Sequence, residues 1–95
     1  MKSNNKRVTR TVNRIIDGDT FYVNRNVNGF NYIRIEGVDT PEKNKKKYDH
    51  YKRKLSKLIL GEVVSITPIA RSYDRLLAKV TFNRKNVGKL IGGKD

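Results

Sequence analysis

The sequence predicts a mainly β (α+β) domain, a five-stranded barrel with one helix between the third and fourth strands. Three observations predict it. Runs with period-two alternation, rich in Val, Ile, Phe and Tyr, lie on both sides of a single stretch with helical period. An Asn-Gly pair separates two of those runs, a strong short-range hairpin signal. All of this fits into 95 residues, enough for one small core and a single domain spanning 1–95.

Residues 1–6 are polar and are expected to fray. Residues 7–16 carry Val8, Val12, Ile15 and Ile16 among Thr, Arg and Asn, which reads as a long first strand with an irregularity near its end. The run "DGD" breaks it, and "TFYVNR" follows as a second strand with Phe21 and Val23 on one face. Then "NVNG" turns the chain, because Asn and Gly tolerate the positive φ of tight turns, into a third strand "FNYIRIEG" with Ile33 and Ile35 inward. In "KKKYDHYKRKLSKLIL" the period changes. Tyr48, Tyr51, Leu55, Leu58 and Ile59 share one helical face and Lys and Arg fill the other, with Gly61 as the stop. The fourth strand is "EVVSITPI", the loop "ARSYDR" follows, and "LLAKVTF" is the fifth strand. In the tail, Val87, Leu90 and Ile91 are expected to turn inward on one short helical turn ended by Gly92-Gly93. Three strands, a helix and two strands is the element order of the OB-fold barrel, which by itself names no activity.

Charge narrows the partners. The chain has 22 Lys and Arg against 9 Asp and Glu, a net charge of +13 with a pI near 10.3. Such an imbalance points to a polyanion held through steering and counterion release, and nucleic acid, DNA or RNA, comes first. A solvated Lys-rich surface is the plainer alternative. With no long basic amphipathic helix and no lipidation motif, a membrane is not expected as partner. The start "MKSNNKRVTR" lacks the apolar core of a secretory signal, so a soluble, intracellular protein is expected, a monomer without an obligatory protein partner. With no Cys, any metal must be held by oxygen or by the single His50, which is expected on the helix surface.

The hairpin makes a geometric prediction. If the turn centres on Asn28-Gly29, regular pairing carries Asp19 opposite Val38, beside Asp39. Two carboxylates that converge on a basic protein repel one another unless a divalent cation joins them. Hard oxygens from Asp19, Asp39 and the Thr40 carbonyl, completed by water, suit Ca²⁺ or Mg²⁺ and not Zn²⁺. Arg34 lies between two inward Ile residues, points away from the core and could fork onto a phosphate; Arg75 could bring a second positive charge. Glu42 could accept a proton from a water attacking that phosphate. Tyr73, beside Arg75, is the aromatic best placed for substrate, and Lys45 and Lys46 in "KNKKK" could hold a nucleic-acid backbone. Plainer roles stay open: "DGD" as an Asp-Gly turn, Asp39 and Glu42 as an N-cap and its third position, and the two Arg as surface charges.

The segments "IIDGDTFYV", "IRIEGVDTPE" and "SYDRLLAKV", in this order and spacing, resemble the signature segments of the staphylococcal (micrococcal) nuclease family, the thermonucleases. The resemblance covers residues 8–82 and implies an OB barrel that hydrolyses DNA and RNA phosphodiesters with Ca²⁺. It implies that Asp19, Asp39 and the Thr40 carbonyl ligate the metal, with Asp17 supporting them from behind. It gives Glu42 the role of general base, Arg34 and Arg75 that of phosphate binding and transition-state stabilisation, and Tyr73 a contact to a nucleotide phosphate. Cleavage of the 5′ P–O bond, leaving 3′-phosphate ends, follows from the same likeness. Two departures stand out. Asp74 replaces the Gly usual between that Tyr and Arg, and Ser72 replaces a basic residue for which Arg71 is a substitute. The chain also looks like a short member without most of the family's C-terminal helical region. The alternative from another functional class is a non-catalytic OB-type nucleic-acid-binding domain.

Overall fold

The computed structural model describes residues 6–38 and 48–91; residues 1–5, the 45–47 start of the expected helix and the Gly92-Gly93 stop lie outside that range. In chain order the elements are β1 (Val8–Thr11), β2 (Arg14–Asp17), β3 (Thr20–Val27), β4 (Phe30–Ile35), α1 (Tyr48–Ile59), β5 (Val63–Ser72), β6 (Arg75–Phe82), β7 (Lys85–Asn86) and α2 (Val87–Ile91). The strands form one sheet in the order β1-β5-β6-β4-β3-β2, with β7 added to β6. The β4–β6 pair is parallel and the other pairs are antiparallel.

The expected first strand is two strands. β1 pairs with β5 and β2 pairs with β3, so the two halves lie on opposite edges of the sheet although only Val12 and Asn13 separate them. The three steps from Thr11 to Arg14 reach at most about 11 Å, so the sheet must curl to bring its two edges toward each other. The link is held from both sides: Val12 N–H donates to the Glu62 carbonyl and Asn13 N–H to the Tyr22 carbonyl, each at 2.9 Å. A register irregularity between Ile15 and Asp17 falls where the sequence places one.

Inside the curl lies one apolar core. Phe21, Val23, Ile33, Ile35, Val64, Ile66, Ala78 and Val80 come from the sheet, Leu55 and Ile59 from α1, and Val87 and Ile91 from α2. Tyr51 and Leu58 pack against it, which completes the apolar face of α1, and the chain leaves the helix at Gly61 with φ +80°. His50 is exposed, as expected. In α2, Val87, Gly88 and Ile91 are buried while Leu90 is exposed, contrary to the expectation that Leu90 turns inward. The helix is capped by Asn86, whose Oδ1 accepts the Lys89 N–H at 3.0 Å, and tied to α1 by Lys54 Nζ, which donates to the Ile91 carbonyl.

The expected loop "ARSYDR" is mostly strand. β5 runs through Ala70, Arg71 and Ser72, and only Tyr73-Asp74 form the turn, Tyr73 taking a φ of 55°. Pro68 cannot donate to a ladder and reads as a strand end, but a bulge between Pro68 and Ala70 absorbs it and pairing resumes. β7 was not foreseen; it follows a turn at Asn83-Arg84 with φ values of 53° and 66°. Among the described residues no helix is long and apolar enough to cross a membrane.

Candidate functional site

The β3–β4 hairpin builds the site, and its register differs from the regular one. The turn does centre on Asn28-Gly29, since Val27 pairs with Phe30. Further along, however, Tyr22 pairs with Tyr32, Phe21 with Ile33 and Thr20 with Arg34, so residues 23–26 of β3 oppose the single residue Asn31. Asp19 therefore stands opposite Ile35, whose N–H donates to the Asp19 carbonyl at 2.7 Å, and not opposite Val38. The physical reason is a large bulge satisfied by side chains from elsewhere in the sequence. Asn31 Nδ2 donates to the carbonyls of Val23 and Asn24, at 2.7 and 3.1 Å. The Arg10 guanidinium donates to those of Arg25 and Asn26. Asn24 N–H donates to Asn13 Oδ1 at 2.6 Å. With its polar groups partnered, the bulge costs little in lost ladder bonds.

This slip matters for the chemistry. A regular ladder puts Arg34 opposite Val23, about 13 Å along the strand from Asp19. The bulge brings them side by side, with Arg34 Nη2 3.5 Å from Asp19 Oδ2. Arg34 is 41% exposed at its side chain and Asp19 13%, so the acid is sheltered while the guanidinium still faces solvent.

Buried Thr20 links the second Arg. Its hydroxyl donates to Asp19 Oδ1 at 2.8 Å and accepts from Arg75 Nη1 at 3.3 Å. On the other side, Asp19 N–H donates to Asp17 Oδ1 at 3.1 Å, an Asx-type turn closing "DGD". The Asp-Gly turn and the site are thus the same structure. Burial, followed by a hydrogen bond to the Asp19 carboxylate, pushes the Asp17 carboxyl up from 3.8 to about 6. For Asp19 burial also pushes upward, but hydrogen bonds from Asp17 and Thr20 and the charges of Arg34 and Arg75 outweigh it and hold the group below its ordinary value.

Asp17, Asp19, Arg34 and Arg75 therefore come together, joined by Thr20. Arg71 does not join them. It pairs with Leu76, whose side chain is buried, while Arg75 pairs with Ser72; the Arg71 guanidinium lies over the Phe30 ring at 5.9 Å. Tyr73 is 99% exposed at the β5–β6 tip, with Asp74 exposed next to it. Asp39, Thr40, Glu42, Lys45 and Lys46 lie outside the described residues. The chain reaches them through Gly37, which has φ +87°, and through Val38, which is anchored in the core.

Among the described residues no three acids or His gather as a ligand cluster, and Asp17 and Asp19 supply two carboxylates. Both supply hard oxygens, the ligand type a hard divalent cation takes, while the two Asp19 oxygens already meet the Arg34 guanidinium and the Thr20 hydroxyl. Four further residues were not singled out from the sequence. Thr20 is the buried hub, and Arg14, Tyr22 and Tyr32 flank the cluster on the same sheet face. The alternation that turns Phe21, Val23 and Ile33 inward also turns Tyr22 and Tyr32 outward, so a signal for the tyrosines was present. The chain matches no protein-family model, and no curated protein is significantly similar to it.

Proposed function

We propose that this chain is a metal-dependent nuclease of the staphylococcal nuclease type, built on an OB-type barrel, which hydrolyses phosphodiester bonds of DNA or RNA with little sequence preference. The observation that carries the reading is the convergence of two hydrogen-bonded acids and two arginines around Thr20 on one sheet face. A fold-stabilising network has little use for a half-exposed guanidinium beside a sheltered acid, whereas a phosphate site does. The curled sheet and the helix between β4 and β5 support the barrel reading.

In this reading Arg34 and Arg75 bind the phosphate oxygens and stabilise the charge that grows on them. Glu42 takes a proton from the attacking water; the new bond forms at phosphorus, the P–O5′ bond breaks, and the leaving oxygen is protonated from solvent. Asp19, Asp39 and the Thr40 carbonyl would hold Ca²⁺ or Mg²⁺, with Asp17 behind them, and the bound cation supplies Lewis-acid polarisation of the phosphate. Thr20 keeps Asp19 and Arg75 in place by its two hydrogen bonds.

The test is cleavage of single-stranded DNA with Ca²⁺, with EDTA, and by Glu42→Gln. The reading expects turnover with Ca²⁺, none with EDTA, and a loss of about 10²–10⁴ in the variant. Activity unchanged by both EDTA and the substitution would overturn the mechanism. Salt-sensitive binding without turnover in any divalent metal would mark the chain as a non-catalytic nucleic-acid binder instead.

A further inference from the structure

We infer that the sheet face beside the Asp19–Arg34–Arg75 cluster is a stacking track for a single nucleic-acid strand, formed by Arg14, Tyr22, Tyr32 and Arg75. The inference rests on the nuclease reading only for where the strand leads; the binding it describes stands apart from turnover.

Register places these four residues in one row across four adjacent strands. Arg14 of β2 pairs with Tyr22 of β3, Tyr22 with Tyr32 of β4, and Tyr32 with Arg75 of β6. The next row along the same face holds Thr20 and Arg34, so the track abuts the cluster. The tyrosine rings meet edge to face, centroids 5.2 Å apart and planes at 66°, and the Arg14 guanidinium lies 4.7 Å from the Tyr22 ring centroid. Both rings are half-buried, so they are fixed in place yet open to solvent.

The chemistry of the row selects its occupant. The Tyr32 ring, and Tyr22 with the Arg14 guanidinium laid over one of its faces, offer flat surface to any base, and the arginines at the two ends supply charge for the phosphates between successive bases. A net charge of +13 draws a polyanion to this surface. Bases in a duplex have both faces covered by their neighbours, so the rings can be used only by unpaired bases. Arg75 belongs to the row and also donates to Thr20, which holds Asp19, so a strand lying along the track arrives with a phosphate at the cluster.

The test uses the whole chain in EDTA, so that no turnover intervenes, with a fluorescent oligothymidylate of roughly ten nucleotides and a duplex of equal length as probes. Single-strand affinity should fall roughly ten-fold for each ring removed, so about a hundred-fold in Tyr22→Leu/Tyr32→Leu, with duplex affinity changed less than about two-fold. Tyr22→Phe/Tyr32→Phe keeps both rings and should bind like the parent. If the double Leu variant does not melt cooperatively, Tyr32→Leu alone carries the test with its own ten-fold expectation. The inference is overturned if the Leu variants bind single strand like the parent, if duplex and single strand lose affinity equally, or if the Phe pair loses as much as the Leu pair. Hydrolysis of a mononucleotide aryl phosphodiester by the same variants separates the two readings. Lost strand binding with unchanged ester hydrolysis supports the track. An ester left intact by the parent chain counts against the nuclease reading alone.

Discussion

Replacing Asp17 by Asn should make the protein more stable at pH 8 and stabilise it by about half as much at pH 5. Asn keeps an Oδ1 to accept the Asp19 N–H and gains an amide that can donate to the Asp19 carboxylate, so it imitates protonated Asp17. The Asp17 carboxyl is raised from 3.8 to about 6, so its favourable contribution is complete below 3.8 and is lost as the pH rises through about 6. Asp19 has the opposite sign: its folded value is lowered, so its contribution is present above 3.8 and is lost as the pH falls through the folded value. The pair therefore stabilises the fold most near pH 3.8 and less at pH 8. A rise from 3.8 to about 6 sets a ceiling of about 3 kcal/mol, and solvent screening of a half-exposed carboxyl reduces this to about 1 kcal/mol. For a domain of this size that is a gain of roughly 4–8 °C in Tm for Asp17→Asn at pH 8 in EDTA. Thermal melts followed by circular dichroism at pH 5 and pH 8 make the comparison. An Asn variant equally destabilised at both pH values would refute the reasoning, as would a parent chain whose Tm does not fall from pH 5 to pH 8.

Other expectations are independent of that titration. Gly88→Ala should cost about 1–3 kcal/mol in urea unfolding, because the added Cβ would lie 2.6 Å from the Glu36 carbonyl oxygen; a gain of about 1 kcal/mol, the ordinary helix effect, would show that the contact between α2 and the turn after β4 is loose. Asn31→Ala leaves the Val23 and Asn24 carbonyls without their donor and should cost about 1–3 kcal/mol, with a drop in metal affinity as the bulge relaxes and Asp19 shifts; wild-type stability and affinity together would contradict the role given to the bulge. Arg75→Ala should reduce cleavage by about 10²–10³ if the guanidinium stabilises the transition state, and a loss of only a few-fold would make it a positioning contact.

Much of the architecture is legible because local rules decide it. Alternation around Phe21, Val23, Ile33 and Ile35 gives the inward faces, Asn28-Gly29 gives the turn, and Tyr51, Leu55 and Ile59 give the helix that Gly61 ends. What local rules miss are features held by distant partners. The bulge in β3 depends on Arg10 and Asn31, and the break between β1 and β2 depends on Glu62 and Tyr22, none of which is adjacent in sequence to the group it satisfies. The Asn83-Arg84 turn uses an Arg at positive φ, where sequence signals favour Gly or Asn. For the site, "DGD" and the outward Arg34 are readable from the chain. Their meeting is expected from the resemblance but not from the regular ladder, which puts them well apart; a non-local bulge brings them together.

The interactions of the proposed phosphodiester-cleaving site meet at Asp19, which is bound to Thr20 and faces Arg34. The most direct measurement is the rate at which the parent chain and Asp19→Asn cleave single-stranded DNA at saturating Ca²⁺, both shown by circular dichroism to be folded. Cleavage by the parent is expected, with a loss of at least about 10² in the variant, since Asn removes the charge that would hold the cation while keeping its shape. Equal rates for the two proteins, or no cleavage by either, would contradict it.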